Sequence, residues 1–261
     1  MLVSGLVSDP RGYSASVRGI PRPRSGADSG KVDLRSERWR EHRKKVRSEI
    51  VDAAFRAIDA LGPDVSIREI AEEAGTAKPK IYRHFSDKSD LFQAIGKRLR
   101  DMLLTAIFPS LDFVSDPTRE VIRRSVAEYV DLVDQHPNVL RFMLQGRFPE
   151  QSASTVSALN EGREITMTMA EMFNNELQGM ELNPAALELA ASATFGLAAS
   201  ATDWWLGPAP DSPRRMASDE FIAHLTTLML GAVQGTAEVL GIELNPDKPI
   251  RNAASRRVTV G

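Results

Sequence analysis

Between residues 38 and 61 the apolar positions Val46, Ile50, Ala54, Ile58 and Leu61 recur at spacings of four and three, which puts them on one face of a helix. Gly62-Pro63 ends that helix. A shorter apolar set follows: Ile67, Ile70, Ala71 and Ala74. Ser66 before it, with Glu69 three residues on, has the spacing of a reciprocal N-terminal cap, and Gly75 supplies the stop. A third short helix is predicted from about Lys78 to Phe85, with Pro79 in the first turn, where a missing N–H costs little. Ser86-Asp87-Lys88-Ser89 opens a fourth. Its stripe of Leu91, Ile95, Leu99, Met102 and Ala106 carries it to about Phe108.

The rear of the chain repeats this helical period over about 117–135, 137–145, 151–178, 184–206 and 217–240. No run of alternating β-branched residues bounded by turn signals interrupts it, so the fold class is all-α. Residues 1–36 are rich in Gly, Pro, Ser and Arg without apolar period, and are expected to be a disordered basic arm. The arm contains Gly26-Ala27-Asp28-Ser29-Gly30-Lys31. A phosphate-cradling loop needs four residues between its glycines and a preceding strand. Here there are three and no strand, so that reading is rejected. The expected organisation is the arm at 1–36, a helical head at 37–88, a helical body at 89–240 and a polar tail at 241–261. Stretches 185–202 and 221–237 are apolar enough to raise the question of a membrane. Small residues together with Glu188, His224, Thr226, Thr227, Gln234 and Thr236 favour buried helices of a soluble bundle instead. The N-terminus lacks the basic segment of a signal peptide, and a cytoplasmic location is expected.

Composition narrows the chemistry. The 261 residues include no cysteine, which removes disulfides, thiolate metal sites and thiol catalysis. His42, His84, His136 and His224 contain no pair three to five residues apart, so neither a metal site nor a cofactor is expected. There is no Gly-x-Ser-x-Gly and no tight carboxylate pair, and an enzyme is not indicated. The net charge of −2 hides an asymmetry. Residues 1–101 hold 21 Lys and Arg against 15 Asp and Glu, whereas residues 102–261 hold 12 against 20. A basic front and an acidic rear suit a chain whose front meets a polyanion.

The segment 66–85, Ser-Ile-Arg-Glu-Ile-Ala-Glu-Glu-Ala-Gly-Thr-Ala-Lys-Pro-Lys-Ile-Tyr-Arg-His-Phe, joins two short helices at Gly75. Small Ala71 lets them cross closely, and Ile70, Ala74 and Ile81 can close a mini-core with Phe55 and Ile58. This is helix-turn-helix anatomy. Ile70-Ala71-Glu72-Glu73-Ala74-Gly75, then Ile81-Tyr82-Arg83-His84-Phe85, Lys88 and Leu91, resembles the DNA-binding domain of the tetracycline-repressor (TetR) family over about residues 44–95. The resemblance implies a three-helix DNA-binding head and a larger helical body that binds effector and partner subunit. It also implies a homodimer on a double-stranded DNA operator, usually as a repressor. The family usually has Ser or Thr where this chain has Ala77. Thr76 is the alternative cap, which would shift the recognition helix by one residue.

The third helix is then the recognition helix, with its first residues at base edges of the major groove. Lys78 and Lys80 are the candidate base readers. Tyr82, His84 and Lys88 are candidate phosphate contacts, Lys88 with help from N–H groups at the start of the fourth helix. Arg68 and Thr76 complete the candidate DNA-binding set. The run Arg38, Arg40, Arg43, Lys44, Lys45 and Arg47 reads either as a solvated face or as added attraction for DNA. In the body, Phe142, Met143, Met169, Phe173, Phe195, Trp204 and Trp205 are candidates to line the pocket of an unidentified small apolar effector. The small-residue helix at 185–201 and the one at 217–240 suit a two-fold four-helix interface. Two alternatives stand beside an effector-controlled repressor. One is a constitutive DNA-binding dimer without effector, and the other is a helical interaction module that no longer binds DNA.

Overall fold

The computed structural model describes residues 34–145, 163–172, 174–175 and 182–256. Two compact units divide the chain, residues 1–40 and 41–261. Of the first, the described part is the opening of α1 (Leu34–Leu61), where Trp39 is exposed. The predicted arm thus gives way to helix at residue 34, and the rest of the arm lies outside the described residues. So do Phe173, much of the helix predicted over 151–178, and the last five residues.

In the second unit, the later part of α1 packs with α2 (Ile67–Glu73) and α3 (Lys78–His84). The predicted mini-core is present. Ile58, Ile70 and Ile81 are almost fully buried, with Phe55, Phe85 and Phe92 closing around them. The capping pair at α2 also forms: the Ser66 N–H donates to the Glu69 carboxylate at 2.7 Å and the Glu69 N–H to Ser66 Oγ at 3.3 Å. α2 ends on Gly75 at φ +60°. The Thr76 N–H reaches the Ala71 carbonyl at 2.8 Å and the Gly75 N–H the Glu72 carbonyl at 3.0 Å, a Schellman turn.

α4 (Lys88–Ile107) runs from this head into the body, burying Leu91, Ile95, Leu99 and Leu103 along one stripe. The body continues with α5 (Thr118–Gln135), α6 (Pro137–Gln145), helical residues 163–172 (α7), α8 (Pro184–Leu206) and α9 (Ser218–Val239). One apolar core is continuous from α1 to α9. α6 ties head to body through polar groups. The Asn138 side-chain amide donates to the Asp59 carbonyl of α1 at 3.0 Å, and the buried Arg141 donates to Asn138 Oδ1 at 3.2 Å and to the Leu206 carbonyl at 2.7 Å. His136 Nδ1 adds a 2.7 Å contact to the Asp59 carboxylate.

Two expectations need correction. The polar tail from residue 241 is built structure: β1 (Ile242–Leu244) and β2 (Ala254–Arg256) pair antiparallel around the short α10 (Ile250–Ala253). Strands of three residues leave no alternation for a sequence pattern to show. The helix at 184–206 is not buried within the chain either. It is long and apolar enough to cross a membrane by length and composition, yet only 11% of its most apolar window is buried.

Candidate nucleic-acid interface and body cavity

Seven residues make α3, and one of them, Ile81, is buried. Lys78, Lys80, Tyr82 and Arg83 therefore all stand on the outer surface, and the Lys78 ammonium lies 6.0 Å from the Tyr82 ring centroid. The helix starts at Lys78 with Ala77 as N-cap, in extended conformation and without a side-chain hydrogen bond. Thr76 does not cap it, because its backbone is committed to the turn that ends α2. α3 consequently keeps the unshifted register, with Lys78 at its first position and Lys80 at its third. Arg68 is exposed on α2, 3.8 Å from Glu72.

One residue of the basic surface has a duty that the sequence did not show. Arg47 holds the head together. Its guanidinium grips the Asp90 carboxylate at 2.7 and 3.1 Å, donates to the His84 carbonyl, and covers the Phe85 ring at 4.1 Å. That hydrogen bonding holds the Asp90 carboxyl below the usual carboxylate range, with the Ser86 N–H helping at 3.0 Å. Lys88 opens α4, but the N–H groups expected to serve a phosphate there are partly used: Asp87 Oδ1 accepts from the Asp90 N–H at 2.8 Å. His84 is half-buried, and Nδ1 has no hydrogen-bond partner among the described residues. Desolvation, then the charges of Arg43, Lys80 and Arg47, pull its pKa down and favour the neutral ring. The signal that could have exposed Arg47 is its seven-residue distance from Ala54 on the packed face of α1, which turns it toward the α3–α4 junction.

The body encloses a cavity of about 290 Å³ between α4, α5, α6, α7, α8 and α9. Of the candidate pocket residues, Met143, Met169 and Phe195 line it. Phe142, Trp204 and Trp205 do not, and Phe173 lies outside the described residues. Phe142 turns to Phe92 in the core, with ring centroids 5.3 Å apart. Trp205 is fully buried, stacked on Phe221 at 4.3 Å with its indole N–H on the Met216 carbonyl at 2.8 Å. Trp204 lies on the outer face of α8 at 45% exposure, beside the Arg215 guanidinium. What replaces them is aliphatic: Leu99, Leu103, Ile122, Val126 and a row of alanines on α8. Polar side chains are fewer among the described lining residues and include Arg100, Ser125, Tyr129, Asn174 and Thr194. Tyr129 is tied into the body. Its hydroxyl pairs with Thr202 Oγ1 at 2.7 Å, and burial pushes its pKa up to about 12, so it stays protonated. The same α4 that begins beside α3 supplies the cavity wall from Gly96 to Ile107.

A second apolar surface lies outside the cavity. Leu189, Trp204 and Leu228 are exposed on α8 and α9, and Leu197, Ala201 and Leu225 border a groove between the two helices. Among the described residues no cluster of acidic groups and histidines could hold a metal ion.

Residues 50–95 match the family model described as bacterial regulatory proteins, tetR family, and residues 118–231 match that of the tetracyclin repressor-like C-terminal domain. An HTH-type transcriptional regulator of Mycobacterium tuberculosis, itself uncharacterised, is 33% identical over 216 residues, covering 81% of this chain and 87% of its own. Among solved structures, a tetR-family transcriptional regulator from Streptomyces coelicolor superposes with a TM-score of 0.56 at 23% identity, over 75% of this chain and 83% of that one. The fatty acid degradation regulator FadR from Bacillus halodurans gives 0.53 at 18% identity, over 70% and 94%. At those identities the two structures speak for the fold alone.

Proposed function

This chain belongs to the TetR family of bacterial transcription regulators, proteins that bind DNA and are not enzymes, and on that premise we propose that it is a cytoplasmic homodimeric repressor released from its operator by a small apolar effector. The observation that carries the reading is the path of α4. It starts at Lys88 beside the recognition helix, and its second half is a wall of the body cavity. A helix of 20 residues spans about 30 Å, so a ligand that tilts it in the body moves the head.

In this reading α3 lies in the major groove. Lys78 and Lys80 donate to base edges, while Tyr82, Arg68, Thr76 and Lys88 hold phosphates or the groove edge. His84, neutral and with one unpartnered nitrogen, is assigned to hydrogen bonding rather than to charge. One head covers a single half-site, which is too small for tight specific binding, so two heads related by a two-fold axis are needed. The exposed apolar face of α8 and α9 is the surface we assign to the partner subunit. Its small residues permit close helix approach, and a second copy would bury the apolar helix that the protomer leaves open. The sequence ahead of α1, with five Lys and Arg against three Asp and Glu over residues 1–33, is assigned to added, non-specific attraction.

The test is a thermodynamic one. Apolar candidates are titrated against the protein with and without operator. Linkage requires that a ligand weakening operator binding by some factor binds the operator complex more weakly by the same factor. Ligands that bind both states equally would reduce the body to a dimerisation scaffold and favour the constitutive alternative. Failure to bind duplex DNA at all would favour the interaction module.

A further inference from the structure

Part of the cavity wall lies beyond residue 231, outside the span matched by the C-terminal-domain model. Ile242, Leu244, Ile250 and Ala254 all line the cavity, and all belong to the β1–α10–β2 ribbon or its short helix. The ribbon is aimed rather than merely adjacent. Ile242 and Leu244 are two apart on β1 and share a face, while Glu243 between them is exposed. Leu244 pairs directly with Ala254 across the ladder, so those two side chains stand next to each other.

The ribbon is also firmly fixed to the body. The Thr118 N–H and hydroxyl donate to the Lys248 carbonyl at 3.0 and 3.1 Å, and the Arg119 N–H donates to the Pro246 carbonyl at 2.9 Å. Arg119 pairs with Asp247 at 3.0 Å. Ile250 is buried in a separate small core with Phe113 and Val121. These bonds hold the ribbon against the first turn of α5, at the same end of the bundle as the last turn of α9, which runs directly into β1.

On α4 the lining of the cavity runs from Gly96 to Ile107, about 16 Å of helix at the helical rise. Its wall is mainly aliphatic, with Tyr129 and Phe195 as the aromatic exceptions among the lining residues. A mainly aliphatic wall spread along several helices suits a flexible hydrocarbon chain.

We propose that the C-terminal ribbon is the floor of the effector cavity, and that Leu244 and Ala254 set the greatest length of straight aliphatic chain that the body accepts. The inference rests on the effector reading above and adds the ligand's chemical class and its length limit. Each methylene buried on the way to the floor raises affinity about fourfold, and the gain ceases where the chain meets the ribbon.

The experiment uses the full chain and straight-chain alkanoic acids of increasing length, titrated by calorimetry, with operator release measured in parallel. In the wild type the affinity climbs with length and then stops climbing. Leu244→Ala deepens the floor and moves that limit to longer chains. Ala254→Phe raises the floor and weakens the longest chain accepted by the wild type by about tenfold, leaving short chains unchanged. Both positions are only half-buried, and unchanged short-chain affinity reports an intact cavity. The same limit in wild type and both variants would overturn the assignment of the floor. No binding of any alkanoic acid to the wild type would overturn the chain class. In that event, operator release by a planar aromatic compound would leave the effector reading standing, and release by no apolar compound would remove that too.

Discussion

α3 and α8 are both helices that the chain leaves largely open, and they are open in opposite ways. α3 buries Ile81 and presents lysines, an arginine and a tyrosine. α8 buries Ala191, Thr202, Trp205 and Leu206 out of 23 residues and presents alanines, leucines and Trp204. The first surface suits a hydrated polyanion, the second another apolar helix or an apolar ligand. The packing behind them differs as well. Behind α3 the head is solid: Phe85, Phe92, Ile58 and Ile70 leave almost no exposed area, and Arg47 locks the outer seam. Behind α8 the body holds a cavity. Under the proposed function the dense packing sits beneath the surface that must keep its geometry, and the void beneath the one that must change.

The contrast is broken most forcefully by removing matched aromatics. Phe85→Ala takes a fully buried ring from the solid head and is expected to cost about 3–5 kcal/mol of stability. Phe195→Ala removes a half-buried ring that already faces the void, and is expected to cost less than half as much. Chemical unfolding of the two variants measures both. Equal costs would mean that head and body are packed alike.

Gly75→Ala comes next. Nothing lies within 4 Å of where its Cβ would be, so the expected cost of about 1–2 kcal/mol is purely that of the left-handed backbone at φ +60°. Unfolding combined with operator affinity checks it, since a shifted α2–α3 angle also loosens DNA binding. A smaller change in the other direction is expected of Ala77→Ser. It supplies the missing cap of α3 and should stabilise the head by about 1 kcal/mol, seen as a raised unfolding midpoint.

The smallest effect is the pH response of His84. Its pKa in the folded chain is lowered, so above the ordinary value of 6.5 the ring is neutral in both states and contributes nothing. As pH falls through 6.5 the unfolded chain takes up the proton first, and stability drops until the folded ring titrates too. His84→Gln should flatten that part of the stability profile. Asp90 works in the same direction further into acid, since its lowered pKa gives stability that is lost as the carboxylate is protonated.

The head could be read almost entirely from the sequence because its determinants are local. Ser66 and Glu69 are three residues apart, Gly75 marks its own turn, and the Ile-Ala-x-x-Ala-Gly and Tyr-x-His-Phe patterns lie within one short window. Even there the Arg47–Asp90 grip escaped, since its partners are 43 residues apart. The body resisted for the same reason on a larger scale. Trp204 and Trp205 drew attention by size, but a helix turns successive residues by 100°, which sent one into the core and the other to the outer face. The alanines of α8 that actually bound the cavity carry no distinguishing chemistry. The ribbon at 242–256 consists of strands too short for any period, held by bonds to Thr118 and Arg119 more than 120 positions earlier.

Operator selection tests directly whether α3 reads DNA as one of a symmetric pair. Genomic fragments selected by the wild-type protein are compared with those selected by Lys80→Ala. The predicted result is an inverted repeat whose half-sites are about one or two helical turns apart, with Lys80→Ala relaxing one base position in each half by about 1–3 kcal/mol. Fragments without a common two-fold motif, or a motif that Lys80→Ala leaves untouched, would contradict it.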